Sequence, residues 1–266
     1  MVVEFIGAPG AGKTTLLSAA IACLSEQGYR VSGVAEAARP FIRRTLPGAL
    51  VARFAPRSLR AALLWQIFVQ VSALYRLGFL ANHLALLRLV FESQIRRPRA
   101  ANSRQRRVLH WWLRTAGYHS LLTALAQPGE VLVFDEGFTH RVVQLFASGA
   151  EKPDPALIVA YLNQLPRPDL VIAVQAPHEV CLQRVLQRGV WAHARSQSLD
   201  ELAQFVAHAH HASQIAVDHL VSSGWAVIEF DNGAGDPARA RAALHESLQA
   251  IPAFSPPAWA LAVTGR

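Results

Sequence analysis

The chain has 266 residues with 26 basic and 18 acidic side chains, a formal net charge of +8. That length suits one α/β domain with a generous insertion, and the near-absence of lysine, with only Lys13 and Lys152, makes the basic excess as much an arginine-rich coding habit as a sign of a polyanionic partner. Two cysteines, Cys23 and Cys181, without C-x-x-C spacing exclude a disulfide scaffold and a thiolate metal site, and read as buried free thiols in a reducing cytosol.

The first element is the apolar run Val2 to Ile6, a strand, followed by a glycine-rich turn and an apolar periodic segment from Thr14 to Gln27, a helix. The start of the chain lacks the basic stretch and cleavage site of a signal peptide, which argues for a cytoplasmic protein. Tyr29 to Val34 is a second strand. Ala35 to Arg44 begins a helix or loop carrying Glu36, Arg39, Arg43 and Arg44. Residues 57–127 read as a largely helical insertion, broken near Arg96 to Arg107. Within it, Ala61 to Tyr75 runs about 15 residues without a charge, short of the roughly 20 needed to span a bilayer. It reads as a buried or surface-docking helix, with peripheral membrane contact as the lesser alternative. Val131 to Phe134, Leu170 to Val174 and Val227 to Phe230 are three further strands, and a helix follows from Pro237 to Gln249. Five short strands alternating with helices predict an α/β fold, a parallel five-stranded sheet flanked by helices within a single domain over 1–266. The tail, 251–266, with Pro252, Pro256 and Pro257, reads as loosely packed.

Gly7-Ala8-Pro9-Gly10-Ala11-Gly12-Lys13-Thr14 fits the spacing G-x-x-x-x-G-K-S/T, between a strand and a helix. Glycines let such a loop turn its backbone N–H groups inward around phosphate oxygens at a helix N-terminus. Lys13 is then expected to reach the β and γ phosphates and Thr14 to offer its hydroxyl to magnesium, with Thr15 beside them. In a chain that writes arginine almost everywhere, lysine at this position indicates that a compact ammonium is needed. The cofactors expected are ATP or GTP and Mg²⁺.

Such a site needs an acid at the end of a neighbouring strand, and Asp135, directly after Val131 to Phe134, fits as the second metal ligand. Glu136 can orient water or accept a proton. Arg184 and Arg188 share a helix face at i,i+4 and would repel unless an anion lies near them. Phosphoryl transfer builds charge that such arginines neutralise. With R-x-x-x-R-G at Arg184 to Gly189, the chain resembles the nucleotide and nucleoside kinase branch of P-loop proteins, notably thymidylate-kinase-like enzymes. The resemblance implies a mobile lid after Gly189, with Arg195 as a third lid arginine.

Glu36-x-x-Arg39 after the second strand resembles a segment of nicotinamide riboside kinase-like ATPases. That likeness implies Glu36 as acceptor base and Arg39 as partner of an anionic substrate group. Asp135 to Arg141 resembles the D-G-F-P-R segment of adenylate kinases, with Glu136 inserted and Thr139-His140 in place of proline, and makes Arg141 a substrate-binding candidate. Asn232 and Gly233 resemble the loop that lines the base of the nucleotide. In motif order these likenesses cover 1–45, 128–200 and 226–250, and 57–127 carries no such resemblance.

The run Arg96 to Arg107 reads as a solvated basic turn rather than a nucleic-acid surface, since Trp111 and Trp112 follow it without interleaving. His208 and His211 share a helix face without an acidic or thiol partner, which argues against a metal there. The leading expectation is ATP- and magnesium-dependent phosphoryl transfer to a small-molecule acceptor such as a nucleoside, nucleotide or related metabolite. The alternative is a regulatory or mechanical ATPase or GTPase acting through a protein or membrane partner. A homodimer is compatible with either.

Overall fold

The computed structural model describes residues 1–95, 102–147, 152–191, 198–233 and 237–249. The five strands are β1 (Val2–Ile6), β2 (Arg30–Gly33), β3 (Glu130–Phe134), β4 (Leu170–Gln175) and β5 (Val227–Asp231). They form one parallel sheet in the order β2-β3-β1-β4-β5, as expected for an α/β chain. β1 is central, with Val3 opposite Val133 on one side and Leu170 on the other. Strands covered on both faces read as continuous apolar runs rather than alternating ones, which is how β1, β3 and β4 are written. On β3 the period of two sorts the side chains: Val131 and Val133 join the main core, whereas Leu132 and Phe134 enter a second cluster with Ile42, Leu64, Phe68 and Leu121.

Helix α1 (Lys13–Glu26) follows β1. After β2 come α2 (Val34–Arg44) and α3 (Leu46–Phe54). The insertion consists of α4 (Arg57–Asn82), α5 (Leu84–Ile95) and α6 (Asn102–Leu125). It shares the core of the sheet, since Phe79, Leu86, Val90 and Trp112 pack in the same buried cluster as β1. α4 lies along α6 so closely that a Cβ on Gly117 would sit 2.5 Å from the Ser72 carbonyl oxygen, so only glycine fits there. α4 outruns the uncharged stretch read from the sequence, taking in Arg57, Arg60 and Arg76, and at 26 residues it is long and apolar enough by length and composition to cross a membrane. Leu64, Phe68, Ser72 and Phe79 form its buried face.

Beyond β3, α7 (Arg141–Phe146) and α8 (Pro155–Leu162) precede β4. They are followed by α9 (His178–Arg188), α10 (Leu199–Ser222) and, after β5, α11 (Pro237–Gln249). Both cysteines are buried and free, as read from the sequence. Arg96, Arg97, Arg99, Arg195 and the tail lie outside the described residues.

Candidate functional site

The chain leaves β1 into the glycine-rich loop at the C-terminal edge of the sheet, where open α/β sheets place their ligands. Gly10 and Gly12 hold φ of 85° and 100°, the left-handed region that side chains avoid. Gly12 is doubly constrained, because a Cβ there would lie 2.1 Å from Asn232 Nδ2. α1 begins at Lys13 with no side-chain cap and no acid in its first turn, so its first N–H groups and its positive dipole end stay available to an anion. Lys13 Nζ donates to the carbonyl oxygens of Gly7 at 2.8 Å and Ala8 at 3.0 Å. Burial pulls this ammonium down to about 8, against the pull of Glu136 and Asp135 and with the help of Arg188.

A cavity of about 580 Å³ opens over the loop. Pro9, Gly10, Gly12, Lys13, Thr14 and Thr15 line its floor, and Glu136, Arg184 and Arg188 its sides. Trp111, His140, Val143, Gln144, Trp191 and Phe205 complete it. The two arginines differ. Arg184 donates through Nη2 to the Asn232 carbonyl at 2.8 Å and through Nη1 to the Gly10 carbonyl at 3.4 Å, and Asn232 Nδ2 donates to the Ala11 carbonyl at 2.7 Å. Arg184 and Asn232 together therefore stitch the loop to the end of β5. Arg188 lies 5.6 Å from the centre of the Trp191 ring. The expectation that these neighbours need an anion between them is accordingly modified: backbone carbonyls already satisfy part of Arg184, and an aromatic face shelters Arg188.

The wall after β3 rests on an acid in the central strand. Glu4, 1% exposed, accepts from the backbone N–H groups of Phe138 at 3.1 Å and Thr139 at 2.8 Å and from the Thr139 hydroxyl at 2.8 Å. Burial raises its carboxyl above the ordinary 4.5 despite these donors and Arg141. His140 follows, 5% exposed, with no partner for Nδ1 among the described residues. Burial, then Lys13 and Arg141, hold its imidazole well below 6.5, so it faces the cavity neutral.

A second cavity of about 260 Å³ shares Trp111 and Glu136 with the first. Its other walls are Val34 and Trp65, the α6 residues Arg114, Thr115 and Tyr118, and Phe134, Asp135 and Arg141. Arg114 donates to the Tyr118 hydroxyl through Nε at 2.9 Å and Nη2 at 2.6 Å. Arg141, buried by the fold, donates through Nε to Thr115 Oγ1 at 2.8 Å and through Nη1 to Glu136 Oε2 at 3.2 Å and to Gln144 Oε1. This fixes the Glu136 carboxylate, itself half-exposed, at the junction of the two cavities.

The structure thus brings Lys13, Thr14, Thr15, Asp135, Glu136, Arg141, Arg184 and Arg188 together. It leaves out Glu36 and Arg39. The Glu36 carboxylate accepts from the Gly33 N–H at 2.9 Å, closing the start of α2, and Arg39 is exposed; neither lines the two cavities. Asn232 buttresses the loop from behind instead of lining the cavity, and the Gly233 N–H donates to Asp231 Oδ1 at 2.8 Å. Glu4, His140, Trp65, Thr115, Tyr118 and Trp111 were not read as site residues. A lone acid inside the apolar run Val2 to Ile6 was the one visible signal among them.

For a triphosphate, the donor set consists of the Lys13 ammonium, the uncapped N–H groups of α1 and the two arginines. For magnesium the candidates would be two hard oxygens, the Thr14 hydroxyl at the loop cavity and the Asp135 carboxylate, which lines the second cavity and accepts from the Glu136 N–H at 2.9 Å. Among the described residues no three His, Cys, Asp or Glu side chains cluster tightly enough to hold a metal alone, so a magnesium ion here would take its remaining ligands from phosphate and water. Compared with known proteins, the chain matches no family model and no curated sequence.

Proposed function

We propose that this chain transfers the terminal phosphoryl group of ATP or GTP, with magnesium, to a hydroxyl group of a small molecule. The observation that carries the reading is the pair of cavities meeting at Trp111 and Glu136. A hydrolase needs one cavity and a water. A second, aromatic-walled space beside the first suits an acceptor instead.

In this reading Lys13 leaves the Gly7 and Ala8 carbonyls for the phosphates, and Arg188 turns from Trp191 toward the charge that develops on the transferred group. Magnesium, when bound, would offset the negative charge of the phosphates. Thr14 and Asp135 would hold it. The acceptor oxygen forms a bond to the γ-phosphorus as the bond to the β-phosphate oxygen breaks. The acceptor proton passes to Glu136, and the nucleoside diphosphate leaves. Arg184 keeps the loop in shape throughout, and Arg141 aims Glu136.

The test is turnover of purified protein with ATP or GTP and magnesium against panels of nucleosides, nucleotides, sugars and other hydroxylated metabolites. Slow hydrolysis alone and stoichiometric diphosphate with a phosphorylated product on adding the right acceptor, both abolished by a chelator, are expected. If no acceptor is phosphorylated while a protein or membrane partner accelerates hydrolysis, the regulatory ATPase reading replaces this one.

A further inference from the structure

α3 and the start of α4 turn large apolar side chains outward. Leu46 is 77% exposed, Leu50 51%, Phe54 72%, Leu59 54% and Leu63 41%. Leu46, Leu50 and Phe54 follow at i,i+4,i+8 along one face of α3, and Leu59 and Leu63 continue at i,i+4 just beyond the Ala55-Pro56 link. Single exposed leucines are ordinary, but a run of them on consecutive helices marks an interaction face.

The charges around this face all have one sign. Arg39, Arg43, Arg44, Arg53 and Arg57 are exposed, and none is paired with a carboxylate among the described residues. From Glu36 to Glu92 the chain contains no acidic residue in between. Arg53 leans over the ring of Phe54 at 5.6 Å, charge and apolar surface side by side. Apolar side chains rimmed by arginine suit a surface that offers hydrocarbon beneath anionic headgroups. A second copy of the chain suits it poorly, because a two-fold contact would set Arg53 and Arg57 against themselves. Nucleic acid would meet the arginines but leave Leu46, Leu50, Leu59 and Leu63 with nothing to bury against.

The same helix cannot cross the bilayer without dismantling the fold. Opposite its exposed leucines, α4 buries Leu64, Phe68 and Phe79, and Phe79 stacks at 5.1 Å on Phe138 behind the candidate site. We propose that the exposed face of α3 and the first turns of α4 docks in the interface of an anionic phospholipid bilayer, lying on it rather than spanning it. This goes beyond the phosphoryl-transfer reading and does not depend on it.

The experiment is flotation of the full chain with vesicles of phosphatidylcholine alone or of phosphatidylcholine mixed with phosphatidylglycerol, at low and high salt. Two paired variants, Leu50→Glu with Phe54→Glu and Arg53→Glu with Arg57→Glu, are run beside it, with thermal melting to check their folding. Expected are binding at least about tenfold stronger to the anionic vesicles, its weakening by salt, and its loss by about tenfold or more in both variants at unchanged melting temperature. Equal binding to both vesicle types, or variants that bind like the parent, overturns the proposal. So does a dimer in sedimentation that Leu50→Glu with Phe54→Glu dissolves while the parent ignores vesicles.

Discussion

Thr139 gives Glu4 two hydrogen bonds of 2.8 Å, one from its backbone N–H and one from its hydroxyl, joining the central strand to the loop that carries Asp135 and Glu136. Glu4→Gln replaces one accepting oxygen by a donor that faces donors. It is expected to cost about 1–3 kcal/mol of unfolding free energy, read by urea denaturation. Its pH dependence has a defined sign. Burial raises the folded carboxyl above the ordinary 4.5, so the native state holds this proton more tightly than the unfolded chain. The contribution of Glu4 to stability is therefore full in acid below 4.5 and declines as pH rises through the folded value. Glu4→Gln should lack that decline, and a variant with the parent's slope would count against this role.

Lys13 titrates near neutrality because burial lowers it to about 8 before any phosphate arrives. A bound triphosphate favours the charged form and raises it. Nucleotide affinity should then be level below about pH 7.5 and weaken toward tenfold per pH unit above about 8, with proton uptake on binding visible by calorimetry in buffers of different ionisation enthalpy. Affinity that stays flat to about pH 9.5 would contradict it.

Arg184 and Arg188 should separate kinetically. Arg184→Ala removes the bonds to the Gly10 carbonyl of the loop and the Asn232 carbonyl after β5, and is expected to raise KM for the nucleotide about tenfold and to lower the melting temperature. Arg188→Ala removes no loop bond. It should leave stability within about 0.5 kcal/mol and lower kcat by about 10²–10³. Steady-state kinetics with differential scanning calorimetry tells the two patterns apart.

Trp65 lines the second cavity and not the first. Trp65→Ala should raise KM for the acceptor by about tenfold or more while the nucleotide dissociation constant moves less than about twofold. Should nucleotide binding fall in parallel, the two cavities would not be separate subsites.

What the sequence made legible follows from how local the constraint was. The strand-loop-helix at Val2 to Gln27 depends on neighbours in the chain, so its glycines, Lys13 and the run of α1 could be read directly. β1, β3 and β4 announced themselves as continuous apolar runs, whereas β2 and the alternating β5 carried weaker signals. A helix-start acid and an acceptor base look alike in one dimension, and in the structure the Glu36 carboxylate accepts from the Gly33 N–H, away from both cavities. Asn232 reads in one dimension as a base-lining residue, whereas its bond to the Ala11 carbonyl, across 221 residues of chain, sets it behind the loop. The second cavity was invisible for the same reason. Its walls come from the starts of α2 and α7, from α4 and α6, and from the end of β3 with the loop after it, and no local pattern records that Trp65, Tyr118 and Phe134 meet.

In α4, Trp65 faces the inner cavity while Leu63, two positions earlier, faces out. A helix is stiff over so short a span, so a shift or rotation of α4 as a body would carry both side chains with it. If a membrane holds the outer leucines and an acceptor the inner wall, any coupling between them would be reciprocal, each changing the other's affinity by the same factor.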